Sequence, residues 1–235
     1  MEKKYVIGID SGTSVVKCVL FDLEGNEINV AARKTPVEEP HFGWSEFDAD
    51  IEWREISQSF KDLIEKTKIN PEEIGAIGIC AKHGSVFLGS DNKPVRMSIL
   101  WNDGRCAKDI DEWEKSGKLD ETFAITSNWL MASDRNLLLP WLKDNEPEVL
   151  EKTAKIVSPA NWVAVNLTGN IGANGSDFYA QVDDQTKISK EVLRIAGVKE
   201  LYEKFPELGE ANRVDRKSTR LNSSHITRSR MPSSA

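Results

Sequence analysis

Two apolar runs rich in β-branched residues, separated by a short polar turn, open the chain in the pattern of paired strands. Tyr5 to Ile9 forms a β-rich run, a polar Gly-Thr-Ser turn follows Asp10, and Val15 to Asp22 forms a second run. This pattern predicts a β-hairpin, and Glu27 to Lys34, after the Gly25-Asn26 turn, extends it to a three-stranded antiparallel meander. Residues 35–50 contain Pro36, Pro40 and Gly43 and are expected to form a loop. Helical spacing follows. Ile51, Trp53, Ile56, Phe60, Leu63 and Ile64 recur at helical spacing. Ile74 to Cys80 is a continuous apolar run bounded by turns, which predicts a buried central strand.

Beyond it, Val86 to Gly89 and Ser98 to Trp101 are expected as short strands, and Cys106 to Gly117 as a helix. Arg135 to Leu142 is expected as a short amphipathic helix and Pro147 to Ala154 as another. Ile156 to Asn161 is expected as a strand-to-helix junction leading into a helix over Trp162 to Leu167. A Gly/Asn-rich loop over residues 168–175 precedes short helical stretches at Glu191 to Ala196 and Val198 to Phe205.

Composition narrows the class. The 235 residues are 39% hydrophobic and 29% charged, as in an ordinary globular protein. A net charge of −7 argues against a nucleic-acid partner and against attraction to anionic membranes. No apolar segment approaches bilayer length, and Met1 to Tyr5 runs straight into a strand, so a cytoplasmic location is expected. Cys18, Cys80 and Cys106 are widely spaced and outside any CxxC pattern, so reduced thiols are expected rather than disulfides or zinc. The last stretch differs in character. Residues 216–235 hold Arg216, Lys217, Arg220, Arg228 and Arg230 but no acid. Such a tail is ordinarily a disordered interaction arm. This one resembles translated sequencing-adapter sequence, so residues 214–235 are expected to be non-native and disordered.

The chemistry concentrates at the first hairpin. Gly12 allows close backbone approach to an anion, while turn N–H groups and the Thr13 and Ser14 hydroxyls can cradle phosphate. Asp10 can hold Mg²⁺ and Lys17 adds a positive charge. An ordinary hairpin with a polar turn fits the same spacing. The pattern D-x-G-T-x-x-x-K-x-x-L-F-D over Asp10 to Asp22 resembles the first phosphate motif of the FGGY carbohydrate kinases, within the actin, Hsp70 and hexokinase group. Ile99-Leu-Trp-Asn-Asp-Gly-Arg-Cys106 closely resembles a stretch of bacterial xylulokinases, with Gly78-Ile-Cys-Ala-Lys-His-Gly84 at the expected distance upstream.

The resemblance implies an α/β, ribonuclease-H-like N-terminal lobe with a mixed sheet over residues 1–213. It implies ATP and Mg²⁺ as cofactors and transfer of phosphate to a sugar or polyol, a pentulose such as D-xylulose first. A small-molecule sugar is the implied partner, with a homodimer open for the full-length enzyme. Asp10 would stand near the transferred phosphoryl group, through Mg²⁺. Gly12, Thr13, Ser14 and Lys17 would line the nucleotide phosphates. Lys82 and His83 stand where xylulokinases have their sugar-binding pair, with Lys82 replacing the family's Met; His83 also fits a satisfied core or turn residue. Trp101 would wall the sugar site, or serve as a core tryptophan. Asp103 and Arg105 would contact substrate, or pair locally to shape their loop.

Departures from the family pattern are present. Pro159-Ala-Asn161 replaces Pro-Lys-Asp, and Phe178-Tyr-Ala-Gln181 replaces small residues after Ser176-Asp177, which leaves the sugar open. The family's general base, an Asp in a Gly-rich stretch, falls beyond residue 213, as does the ATP-binding lobe. The chain is therefore expected to be an inactive fragment. A non-catalytic sugar-binding protein and an actin- or Hsp70-like ATPase are the alternatives.

Overall fold

The computed structural model describes residues 2–209. The expected basic tail and the 213/214 boundary lie outside the described residues.

The meander forms as the β-rich runs and turns predict: β1 (Tyr5–Ser11), β2 (Val15–Asp22) and β3 (Glu27–Lys34) are successively antiparallel. Loop residues then lead to β4 (Glu46–Phe47) and α1 (Ala49–Thr67). The helix starts where Asp48 accepts from the Asp50 and Ile51 amides, and it stops at Lys68, which takes a left-handed φ of 54°. Its apolar face, with Ile56 and Leu63, packs on Ile7, Ile9, Val16, Cys18 and Leu20 of the sheet. Burying each such side chain stabilises the fold by about 1.5–3 kcal/mol.

β5 (Ile74–Ala81) runs parallel to β1, giving a mixed sheet of order β3-β2-β1-β5. A second sheet of order β4-β7-β6-β8 is built from β4, β6 (Gly84–Leu88), β7 (Ser98–Leu100) and β8 (Lys155–Val157). Between β7 and β8 lie α2 (Ala107–Lys115), α3 (Lys118–Thr126), α4 (Arg135–Asn145) and α5 (Pro147–Lys152). α6 (Pro159–Thr168) bridges the two sheets. Its Val163 belongs to the core under α1, while Trp162 packs with Phe47, Val86 and Leu100 and donates to the Ala49 carbonyl at 3.0 Å. α7 (Lys190–Ile195) and a 3₁₀ turn at Lys199–Lys204 close the largest apolar cluster with Leu138, Leu142 and Phe178.

Three expectations are corrected. The run at 74–80 forms an outermost strand of the described sheet rather than a central one; Gly75 to Ile79 are only partly buried and Cys80 is exposed. A continuous apolar run reports two apolar faces but not whether a neighbour pairs with each edge. Residues 35–50 are not all loop, because a two-residue strand and the first two residues of α1 fall inside them. The helix from Arg135 is not amphipathic; Arg135, Asn136, Leu137, Leu138, Leu139 and Leu142 are all buried. Two polar residues sit inside it because neighbouring segments satisfy them, which periodicity does not register. The sequence pattern also omitted α3.

Candidate functional site

The β1–β2 turn positions the first group of candidates. A Cβ at Gly12 would approach the Val15 carbonyl oxygen to 2.9 Å, so the tight turn itself requires glycine. Gly12 N–H closes the turn on that oxygen at 3.0 Å. Thr35 N–H donates to the Ser14 carbonyl at 3.0 Å, tying the tip to the end of β3. On this frame Asp10 and Lys17 face each other across the ladder, 3.5 Å apart, with side chains 50% and 47% exposed. Thr13 is partly exposed and Ser14 is exposed. The tip therefore offers an open carboxylate, an open ammonium and two hydroxyls.

Asp10 is a single carboxylate. Among the described residues no group of three or more His, Cys, Asp or Glu could hold a metal ion. That donor set fits a Mg²⁺ ion that takes one protein oxygen and completes its shell with phosphates and water.

Trp101 stands beside the tip. Its side chain is 46% exposed, and its indole N–H lies 3.4 Å from Thr13 Oγ1. Ser133 donates to its carbonyl, which holds the end of β7 against the segment that leads into α4. The core reading of Trp101 is excluded by this exposure. His83 follows β5, half-buried, against the ring of Tyr179 at a centroid distance of 5.1 Å. Burial, with Arg135 nearby, pulls the His83 imidazole down to about 4, so it is neutral at physiological pH. Asp134 lies 3.9 Å from His83 Nε2 and accepts from the Tyr179 hydroxyl at 2.7 Å. Burial raises the Asp134 carboxyl above the usual range and raises the Tyr179 phenol as well.

The remaining candidates lie behind this face. Lys82 turns inward: its side chain is 2% exposed and pairs with Glu52, which is 1% exposed. Ser11 donates to the same carboxylate, the Lys82 ammonium lies 3.5 Å from the Gly12 carbonyl, and it sits over the Phe47 ring at 4.1 Å. Direct sugar contact by Lys82, as the motif implies, has no exposed surface to act through. Desolvation raises Glu52 and lowers Lys82, while each opposes the other's shift. Of the two readings for Asp103 and Arg105, the structure has the local one. Arg105 Nε donates to Asp103 at 2.8 Å, its Nη2 reaches Glu46 at 2.5 Å, and its guanidinium stacks on Trp44 at 3.9 Å. Both side chains are buried, and Asp103 also receives the Ser45 amide at 2.7 Å.

The structure thus brings Asp10, Gly12, Thr13, Ser14, Lys17 and Trp101 together, places His83 at the end of β5 beside Tyr179, and sets Lys82, Asp103 and Arg105 underneath. Sequence reasoning missed Glu52, Glu46, Asp134 and Arg135. A faint signal existed, since Asp134-Arg135-Asn136 opens an otherwise leucine-rich helix, a place where polar residues need buried partners. A cleft of about 410 Å³ lined by Lys155, Tyr202, Phe205 and Leu208 includes none of the candidates.

The chain is similar to known proteins in both sequence and fold. A probable L-xylulose kinase of Haemophilus influenzae is 29% identical over 216 residues, 89% of this chain and 44% of that protein. The xylulose kinase of Escherichia coli is 31% identical over 172 residues, 73% of this chain and 35% of that protein. The crystal structure of a xyloylose kinase from Brucella ovis superposes with a TM-score of 0.81 at 25% identity, covering 92% of this chain and 46% of that one. The chain therefore spans less than half the length of the curated relatives it matches. Residues 5–226 match the N-terminal domain of the FGGY family of carbohydrate kinases, and the chain belongs to that family.

Proposed function

We propose that this chain forms the sugar-binding lobe of an ATP-dependent carbohydrate kinase whose substrate is a ketose, a pentulose such as D-xylulose first. The observation that carries this reading is the contact between Trp101 and Thr13, which sets an exposed aromatic wall beside a polar, glycine-turned tip. One element suits an anion and the other the carbon face of a sugar.

In this reading ATP supplies the phosphoryl group and Mg²⁺ neutralises its charge. Thr13 and Ser14 donate to phosphate oxygens at the tip, and Lys17 offers a cation once it releases Asp10. Asp10 is the protein oxygen available to the metal. Trp101 orients the sugar, and the neutral imidazole of His83 hydrogen-bonds a hydroxyl. Lys82 acts from below, holding the tip against the end of β5. The proton of the attacking hydroxyl requires a base. The resemblance puts that base beyond residue 213, in the part of the enzyme that the longer relatives also possess.

The test is to read the source gene through codon 213 and assay its product for ADP release with D-xylulose, L-xylulose, D-ribulose and glycerol. Release that depends on a pentulose supports the proposal. Equal release without sugar would identify an actin- or Hsp70-like ATPase instead. Sugar binding with no ADP release would leave a binding protein that does no chemistry.

A further inference from the structure

Tyr179 is held in place more firmly than a wall residue needs to be. Its hydroxyl donates to Asp134 Oδ1 at 2.7 Å, and its carbonyl accepts from Asn128 Nδ2 at 3.1 Å. Nearby carbonyls are also taken: Arg135 Nη1 donates to that of Asp177, two residues earlier, at 3.0 Å, and Asn136 Nδ2 to that of Ala180, the next residue, at 2.8 Å. Arg135 Nη2 reaches the Gly84 carbonyl at 2.7 Å, directly after His83. The first turn of α4 therefore locks both the Tyr179 segment and the His83 loop. Asp134 itself is 2% exposed, and its second oxygen receives the Met131 amide at 2.7 Å.

We propose that Asp134 and Tyr179 are specificity-determining residues that, with His83, form a subsite for adjacent hydroxyl groups of a neutral sugar. Tyr179 has spent its only proton on Asp134, so toward a ligand its phenolic oxygen acts as an acceptor. The Asp134 carboxylate, 3.9 Å from His83 Nε2, favours the tautomer with the proton on Nε2, which leaves Nδ1 as an acceptor. Two acceptors fixed beside each other, with ring centroids 5.1 Å apart, match two hydroxyl donors of a polyol. They repel the carboxylate of a sugar acid. Asp134 is the positioning member of the three, and Tyr179 and His83 make the contacts.

This inference rests on the carbohydrate reading above, so its test separates the two. The full 235-residue chain, labelled with ¹⁵N, is compared with Tyr179→Phe and Asp134→Asn by imidazole nitrogen shifts. We expect His83 to show the Nε2–H tautomer in the unaltered chain and a tautomer mixture in Asp134→Asn. Unchanged shifts in both variants would overturn the coupling whether or not sugar binds. D-xylulose, a deoxy analogue lacking one hydroxyl, and xylonate are then titrated calorimetrically. Tyr179→Phe keeps the ring and loses one hydrogen-bonding group, so D-xylulose affinity should fall about fivefold and discrimination against the deoxy analogue should shrink. Xylonate should bind more weakly than D-xylulose. If the unaltered chain and Tyr179→Phe bind D-xylulose equally, the subsite is wrong and the carbohydrate reading stands. If the unaltered chain binds no polyol, the carbohydrate reading fails, while the imidazole shifts still decide the coupling of Asp134 to His83. Should Asp134→Asn not fold, Tyr179→Phe alone decides.

Discussion

Two lysine–carboxylate pairs lie on either side of the Gly12 turn and behave as opposites. Asp10 and Lys17 are about half exposed, 3.5 Å apart, on the open face of the hairpin. Lys82 and Glu52 are 2% and 1% exposed and in direct contact beneath it. An exposed pair gains little from its own attraction, because water screens it and two flexible side chains must be ordered. Such a pair exchanges partners at little cost, which suits groups that must meet a phosphate. A buried pair has lost its hydration, so each charge depends on the other. The same chemistry serves as an exchangeable contact above the turn and as a fixed brace below it.

The largest effect is expected at Lys82. Lys82→Met leaves Glu52 buried without its counter-charge and should cost about 3–5 kcal/mol in urea denaturation of the chain. Adding Glu52→Leu should recover most of that loss. If Lys82→Met alone left stability unchanged, the buried brace would not exist. Arg105, held by Asp103 and Glu46 and stacked on Trp44, extends the test to a second buried cation. Lys lacks the planar fork, so Arg105→Lys should cost about 2–3 kcal/mol despite keeping the charge. A melting temperature within a degree of the unaltered chain would contradict this.

His83 sharpens the comparison through pH. Its imidazole is held at about 4 when folded, below the ordinary 6.5, so the unfolded chain binds more protons in that interval. Stability from this group is present above pH 6.5 and is lost as pH falls toward 4. By pH 5 the loss is about 2 kcal/mol relative to His83→Asn, which lacks the titration. Denaturation of both proteins from pH 7 to 5 checks it, and parallel curves would remove the group from the account. The smallest effect belongs to the exposed pair. Lys17→Ala should change stability by less than about 0.5 kcal/mol, while weakening any phosphate contact at the tip. A loss near that of Lys82→Met would erase the contrast.

Much of this was legible from local pattern. The β-rich run Val15 to Asp22 marked a strand, because β-branched side chains fit extended backbone, and the 3.6-residue recurrence from Ile51 to Ile64 marked α1, because side-chain period follows from helix geometry. The polar tip was also legible, since Gly12, Thr13 and Ser14 act where they stand in the chain. The partners of Lys82 were not. Glu52 is 30 residues away, and only the docking of α1 under the turn brings it within reach.

Likewise, Asp103 and Arg105 presented the same residues to two readings, and burial between β4 and Trp44 decided for pairing. Tyr179 and Asp134 are 45 residues apart and gave no joint signal before α4 was packed. The amino-acid sequence by itself determined the strands of the first hairpin, the main helix, the polar turn and the family motifs, all of which depend on near neighbours. Only the tertiary structure decided which charged side chains face solvent and which are buried in pairs. That choice depends on desolvation, and desolvation depends on distant segments closing over a residue.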